Sequence, residues 1–207
     1  MFNEYTMFNY FMKEFEKSLK GYVGERIIQL FLSNMQLGYK KILKNVYVPY
    51  GDDKTTEIDV LMLHETGVYV IESKNYSGWI FGSENQQQWT QMLNGYTKKK
   101  FYNPVWQNKT HIKALSEYIN IDKSKMKSYI VFSDVCELKA VPQNTEKCII
   151  TKIDSFLYVM VDDINKRPKI FTVDEINKIE EQLKPITNVS QEVKNKHIQE
   201  VNEKKNN

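Results

Sequence analysis

Thr56-Glu57-Ile58-Asp59-Val60-Leu61-Met62-Leu63-His64-Glu65-Thr66-Gly67-Val68-Tyr69-Val70-Ile71-Glu72-Ser73-Lys74 decides the reading of this chain. Two runs rich in β-branched residues, 57–63 and 68–74, flank His64 to Gly67, which reads as a four-residue hairpin loop. Along the second run a period of two puts Val68, Val70, Glu72 and Lys74 on one face and Tyr69, Ile71 and Ser73 on the other. A carboxylate and an ammonium therefore continue an apolar row. If Leu63 pairs with Val68, counting back in register sets Asp59 opposite Glu72. Directly opposed Cβ atoms lie about 4.5–5.5 Å apart, where like charges are destabilising, so something positive must sit between the two acids. A hard divalent cation such as Mg²⁺ meets that need, because it takes one or two carboxylates and keeps several waters. Lys74, on the same face, would hold the attacking water or the charge that develops on phosphorus. The alternative is a solvated salt-bridge ladder of Asp59, Glu72 and Lys74. Two features favour a site: the charges extend an apolar row, and a loop at 75–78 follows the strand end.

Working outward, residues 42–48 form a third β-branched run, and with the hairpin they predict an antiparallel meander. Upstream, a helix is expected over 8–35, interrupted near Gly21 and Gly24, with Val23, Ile27, Ile28, Leu30, Phe31 and Leu32 making its second part apolar on most sides. Downstream, 75–102 is polar with glycines at 78, 82 and 95, and is expected to loop over the surface with one short strand at 79–81. Asn103-Pro104 opens a helix to about Ile119, Asn as N-cap and Pro at the first helical position. Strands at 128–133 and 148–150, a helix at 151–161 and another from Thr172 that stops before Pro185 complete a mixed α/β order. The expected organisation is an N-terminal helical extension over 1–20, a core over 21–186 and a polar tail over 187–207.

The 207 residues suffice for one sizeable core, with 41% hydrophobic residues and 13% aromatics. A mean hydropathy of -0.55 and the lack of an 18-residue apolar run argue against a membrane bundle, and the acidic N-terminus lacks the pattern of a signal peptide. A cytoplasmic location is the expectation. Cys136 and Cys148 lack metal-ligand spacing and read as two buried thiols. His64, His111 and His197 have no partner at zinc spacing and read as structural or surface residues. There is no phosphate-binding loop, no Gly-x-Ser-x-Gly elbow and no His-Glu-x-x-His.

Asp59, followed 13 residues later by Glu72-Ser73-Lys74, resembles the D…ExK signature of the PD-(D/E)xK nuclease superfamily. The wider pattern comprises Gly21-x-x-Gly24-Glu25, Thr56-Glu57-Ile58-Asp59, Gly67-Val68-x-Val70-Ile71-Glu72-Ser73-Lys74-Asn75-Tyr76-x-Gly78-x-Ile80-x-Gly82, Trp89 and Asn103-Pro104-x-x-Gln107. In that order it is similar to the nuclease-related domain, NERD, over roughly residues 20–120. The resemblance implies a restriction-endonuclease-like core, a central mixed β-sheet flanked by helices, and metal-dependent hydrolysis of DNA phosphodiesters. It implies Asp59 and Glu72 as Mg²⁺ ligands (Mn²⁺ as substitute), the Ser73 carbonyl as a third, Lys74 as the catalytic lysine, and Glu25 as an acid completing the site. Gln107 would orient the lysine, the water or a nucleotide. The apolar neighbours of Glu25 at helical spacing, Ile28, Leu32 and Met35, independently suggest that it points inward, its alternative being a snorkelled surface residue. The rival expectation is a non-catalytic nucleic-acid-binding module of the same fold.

Net charge is only +3, yet from Ser73 to Lys113 six lysines, at 74, 98, 99, 100, 109 and 113, face one acid, Glu84, for a local +5. All three tryptophans lie there, with Tyr76, Phe81, Tyr96, Phe101 and Tyr102. Tyr76, Lys98, Lys99, Lys100, Lys109 and Lys113 are accordingly candidate DNA contacts, on single or double strands. Arg26 and Arg167 are the only arginines, so sequence-specific readout is not indicated. The aromatic N-terminus (Phe2, Tyr5, Phe8, Phe11, Phe15) is a candidate homodimer surface, its alternative being packing onto its own domain.

Overall fold

The computed structural model describes residues 23–51, 54–145, 148–187, 189–195 and 199. The N-terminal extension, the helix expected before Val23 with its expected interruption near Gly21, the candidate dimer surface and His197 lie outside the described residues, as does most of the tail. Within the tail, 191–195 make a helical turn.

Strands β1 (Lys40–Tyr50), β2 (Lys54–His64) and β3 (Gly67–Lys74) form the expected antiparallel meander. Leu63 pairs with Val68 as expected, but His64 also pairs with Gly67, so the loop tightens to Glu65-Thr66. His64 is structural: its imidazole is buried and bonds Thr66 and the Leu37 carbonyl. On its other edge β3 pairs in parallel with β7 (Met126–Phe132), and β7 with β9 (Cys148–Lys152), giving a mixed five-stranded sheet ordered β1-β2-β3-β7-β9.

Helix α1 (Val23–Asn34) and α3 (Ile153–Asn165) cover one face of this sheet, through Ile28, Leu32, Phe156 and Met160 against Val60, Met62, Tyr69 and Ile71. The other face carries α2 (Pro104–Ile119) and α4 (Val173–Thr187), whose Leu115, Ile176 and Leu183 meet Leu61, Leu63, Val68 and Val70. Each such buried side chain contributes roughly 1.5–3 kcal/mol. The N-cap of α2 and its end at Ile119 fall where the sequence puts them. Asn103 accepts from the Val105 amide at 2.9 Å, Pro104 follows, and Asn120 closes the helix at φ 52°, ψ 47°. Thr172 and Glu175 close a capping box on α4. That helix runs past Pro185, against expectation. Proline in the last turn removes a single backbone bond there, while Ile186 is buried against the core.

The main departure lies in 75–102, expected as a surface loop. It holds β4 (Gly78–Phe81), β5 (Gln88–Leu93) and β6 (Thr97–Tyr102), which with β8 (Cys136–Ala140) make a second sheet ordered β6-β5-β4-β8. The turn between β5 and β6 is centred on Asn94-Gly95 with φ of 52° and 78°. This is a hairpin signal that the surrounding lysines and glutamines obscure. The inner face of the second sheet, Ile80 and Trp89 with Phe101, packs on Ile130, Phe132 and Ile150. Trp89 lies parallel to Phe132 with centroids 6.3 Å apart. Gly82 permits that packing, since a Cβ there would lie 2.1 Å from the Trp89 ring. Of the two cysteines, Cys136 is buried as expected and Cys148 only half-buried; both are free thiols.

Candidate active site

β3 and β7 run in parallel, and Glu72 and Lys74 stand at their carboxyl end beside Ile130 and Phe132. The α2 face of the sheet and the inner side of the second sheet meet there. Lys74 Nζ donates to Glu72 Oε1 at 2.5 Å and to Gln107 Oε1 at 2.9 Å, and Gln107 Nε2 donates to the same Glu72 oxygen at 2.6 Å. The alternation read from the sequence is therefore correct for β3. Ser73 faces the opposite side, toward Gly24.

Asp59 sits differently from expectation. The β2–β3 ladder ends at Val60 paired with Ile71, one step short of an Asp59–Glu72 pair. The Asp59 carboxylate instead accepts the Ser73 amide at 2.7 Å. The cause is local to β2: Thr56 and Ile58 share the α2 face with Leu61 and Leu63, so the period of two slips between 58 and 61. Opposite the slip, the ladder skips Asn45, whose φ is 50°. The two acids remain electrostatic neighbours. Burial first, then Glu72, holds the Asp59 carboxyl well above the usual carboxylate range. Burial also pushes Glu72 up, but Lys74 and His111 outweigh it and bring the carboxyl to about 2. Lys74 loses basicity to burial and regains more from Glu72 and Asp59, so it stays an ammonium at neutral pH. One ammonium thus serves two acids, and Asp59, further from it than Glu72, is the one whose carboxyl is pushed up.

Sequence reasoning placed His111 among structural or surface residues. In the fold it is buried on the inner side of α2, one turn after Gln107. Its Nε2–H donates to Glu72 Oε2 at 3.1 Å, and its Nδ1 is 2.6 Å from the Thr56 hydroxyl. The spacing of Gln107 and His111, four apart on a helix opened by Asn103-Pro104, was the signal available. Asn108, also fully buried, fastens α2 to the sheet through the Val70 carbonyl at 2.9 Å and the Ser128 hydroxyl at 2.7 Å.

Glu25 departs from expectation as well. Ile28, Leu32 and Met35 are buried, but Glu25 is exposed in the first turn of α1. Gly24 takes the close approach instead, since a Cβ on it would lie 2.5 Å from Ser73 Oγ, and the next residue is turned about 100° away. Partial burial, then Glu57 and Glu72, raises the Glu25 carboxyl, so it is coupled to the acids through charge. Glu57 joins the same rim, accepting from Asn45 at 2.9 Å and Tyr47 at 2.7 Å.

The candidate DNA contacts divide into separate groups. Tyr76 is half-buried, tilted against Phe101 with ring centroids 4.4 Å apart, beside Phe132. Lys98, Lys99 and Lys100 lie on β6, an edge strand, and not in a loop. Lys99 shares the inner face with Phe101, while Lys98 and Lys100 point outward. Lys109 and Lys113 are exposed on the outer side of α2, opposite Gln107 and His111. Trp89 is core, Trp106 half-buried against Tyr102, and Trp79 exposed.

For a cation, the donor set consists of hard oxygens. Asp59 and Glu72 suit an Mg²⁺-like ion that takes one or two carboxylates and keeps its own waters. Among the described residues no three Asp, Glu, His or Cys side chains stand close enough to hold a metal between them. No helix among them is long and apolar enough to cross a membrane.

A family model of the nuclease-related domain matches residues 20–133. The chain is also 41% identical over 137 residues to an uncharacterized protein of Bacillus anthracis, covering 64% of this chain and 62% of that one. It therefore spans less than two thirds of that relative's length.

Proposed function

The chain belongs to the nuclease-related domain family, and from that membership we propose that it is a metal-dependent deoxyribonuclease hydrolysing phosphodiester bonds. The observation that carries this reading is the convergence of Asp59, from the middle of β2, with Glu72 and Lys74 at the end of β3, and of Gln107 bonded to both Glu72 and Lys74. Asp59 and Glu72 would hold Mg²⁺ or Mn²⁺, with the Ser73 carbonyl and, through water, Glu25 as further donors. A bound divalent ion supplies Lewis-acid polarisation and lowers the pKa of its water. Lys74, fixed as an ammonium, would stabilise charge developing on the phosphate, and being charged it does not serve as the base. Gln107 and His111 keep the Glu72 carboxylate from rotating. Tyr76 and Lys99, on the side of the second sheet nearest Lys74, would take the adjacent DNA backbone.

The test is an assay of the purified chain on linear, circular and single-stranded DNA with Mg²⁺, Mn²⁺ or EDTA. Cleavage with either metal and none in EDTA is expected, with Lys74→Ala and Asp59→Asn slower by roughly 100-fold or more. Equal nicking by wild type and Lys74→Ala would overturn the reading. One observation favours a non-catalytic binding module: both Glu72 oxygens already have protein partners. That reading stands if no protein cuts but a salt-sensitive gel shift persists.

A further inference from the structure

The outward face of the second sheet is not explained by the fold. Cross-strand pairing puts Glu137, Trp79, Met92 and Lys98 in one row and Ala140, Phe81, Thr90 and Lys100 in the next. Residues of the other parity, Ile80, Trp89 and Phe101, fill the interior, so both rows face solvent. Trp79 is 40% exposed, Phe81 and Met92 are half-buried, and Lys98 and Lys100 are exposed. Lys139, on the neighbouring strand, lies 5.0 Å from the Trp79 ring centroid, paired with Glu137. Among the described residues the four helices pack on the five-stranded sheet, in cores that include none of these outward residues. A solvated antiparallel face is ordinarily polar, and an aromatic row on one marks a place of contact.

We propose that this face is a stacking platform for single-stranded nucleic acid, with bases on Trp79 and Phe81 and phosphates on Lys98 and Lys100. Three observations select that occupant. The aromatic surfaces sit beside lysines, which protein interfaces disfavour and phosphates require. Bases can lie on the rings only when unpaired. No arginine stands on the face to read base edges, so binding is indifferent to sequence. The proposal deepens the nuclease reading and rests on it for its purpose, which is to hold an unpaired strand on the far side of the second sheet from Lys74.

The test is fluorescence anisotropy of a labelled oligothymidine, the same length of blunt duplex, and heparin as a polyanion without bases, all in EDTA so that nothing is cut. The full chain is expected to prefer oligothymidine. Trp79→Ala should weaken that binding about ten-fold or more, and Phe81→Thr less. Lys98→Gln with Lys100→Gln should reduce the slope of log affinity against log salt by about 0.7 for each lysine lost. Thermal melts establish that Trp79→Ala, at an exposed position, is folded. Unchanged oligothymidine binding by folded Trp79→Ala overturns the proposal. So does duplex or heparin binding as tight as oligothymidine binding, and so does a wild-type dimer that Trp79→Glu dissociates while no oligonucleotide binds. Lys74→Ala separates the two readings. Loss of the platform with Lys74-dependent cutting intact leaves the nuclease standing, and Trp79-dependent binding without any cutting leaves the platform standing.

Discussion

His111 shows how much one side chain can add to a site built mainly from a hairpin. It ties Glu72 on β3 to Thr56 on β2, across the strand end where the slip at Asp59 leaves the ladder unfinished. His111→Ala removes the partner of a buried carboxylate oxygen and of a buried hydroxyl, and an unsatisfied buried group costs about 1–3 kcal/mol. Chemical denaturation should therefore show a loss of that order. His111→Gln, which keeps a donor, should recover part of it, and Mn²⁺ affinity, read by paramagnetic resonance, should fall in the alanine variant more than in the glutamine one. Equal stability of wild type and His111→Ala would remove the residue from the site.

At the scale of elements, the second sheet depends on a few positions where space or torsion is fixed. Gly82→Ala would drive a Cβ into Trp89, which is itself held against Phe132 and Phe101, and should lower the urea midpoint by the equivalent of about 1–3 kcal/mol. Gly95→Ala meets no atom within 4 Å and is strained only by its φ of 78°, so about 1 kcal/mol is expected. A larger effect at 95 than at 82 would contradict this packing. The elements differed in how legible they were. The β2–β3 hairpin and the N-cap of α2 announce themselves through neighbours in sequence, by alternation and by Asn103-Pro104. The β5–β6 hairpin carries the same kind of signal at Asn94-Gly95, but Lys98 to Lys100 and Gln86 to Gln88 hide the period of two. Among the described residues β8 pairs with β4 alone, more than 50 residues earlier, and nothing local marks it. The orientation of Glu25 is not legible in the sequence, because helical spacing identifies a face but does not reveal that Gly24, one position earlier, takes the close approach to Ser73.

For the whole molecule, acid sensitivity follows from charges that only the assembled fold brings together. Asp163 on α3 accepts from Lys127 and Tyr129 of β7 and from Arg167. Burial raises its carboxyl, but these bonds outweigh burial and hold it below the usual range. Its folded pKa is thus below the unfolded value of about 3.9, so its contribution is complete above that value and disappears as pH falls through the folded one. Melting of wild type and Asp163→Asn should differ most above pH 5, with the gap narrowing as pH falls below about 4; a gap that widens on acidification would reverse the assignment. The distances along the chain between the site's partners have a further consequence, in the order of synthesis. Asp59 reaches only to Ser73 and Glu72 only to Lys74, whereas Gln107 and His111 lie 35 and 39 residues beyond Glu72. At about 5–20 residues per second, the nascent hairpin waits roughly 2–8 seconds for the helix that secures it. During that interval the counter-charge for both acids is Lys74, at the end of β3.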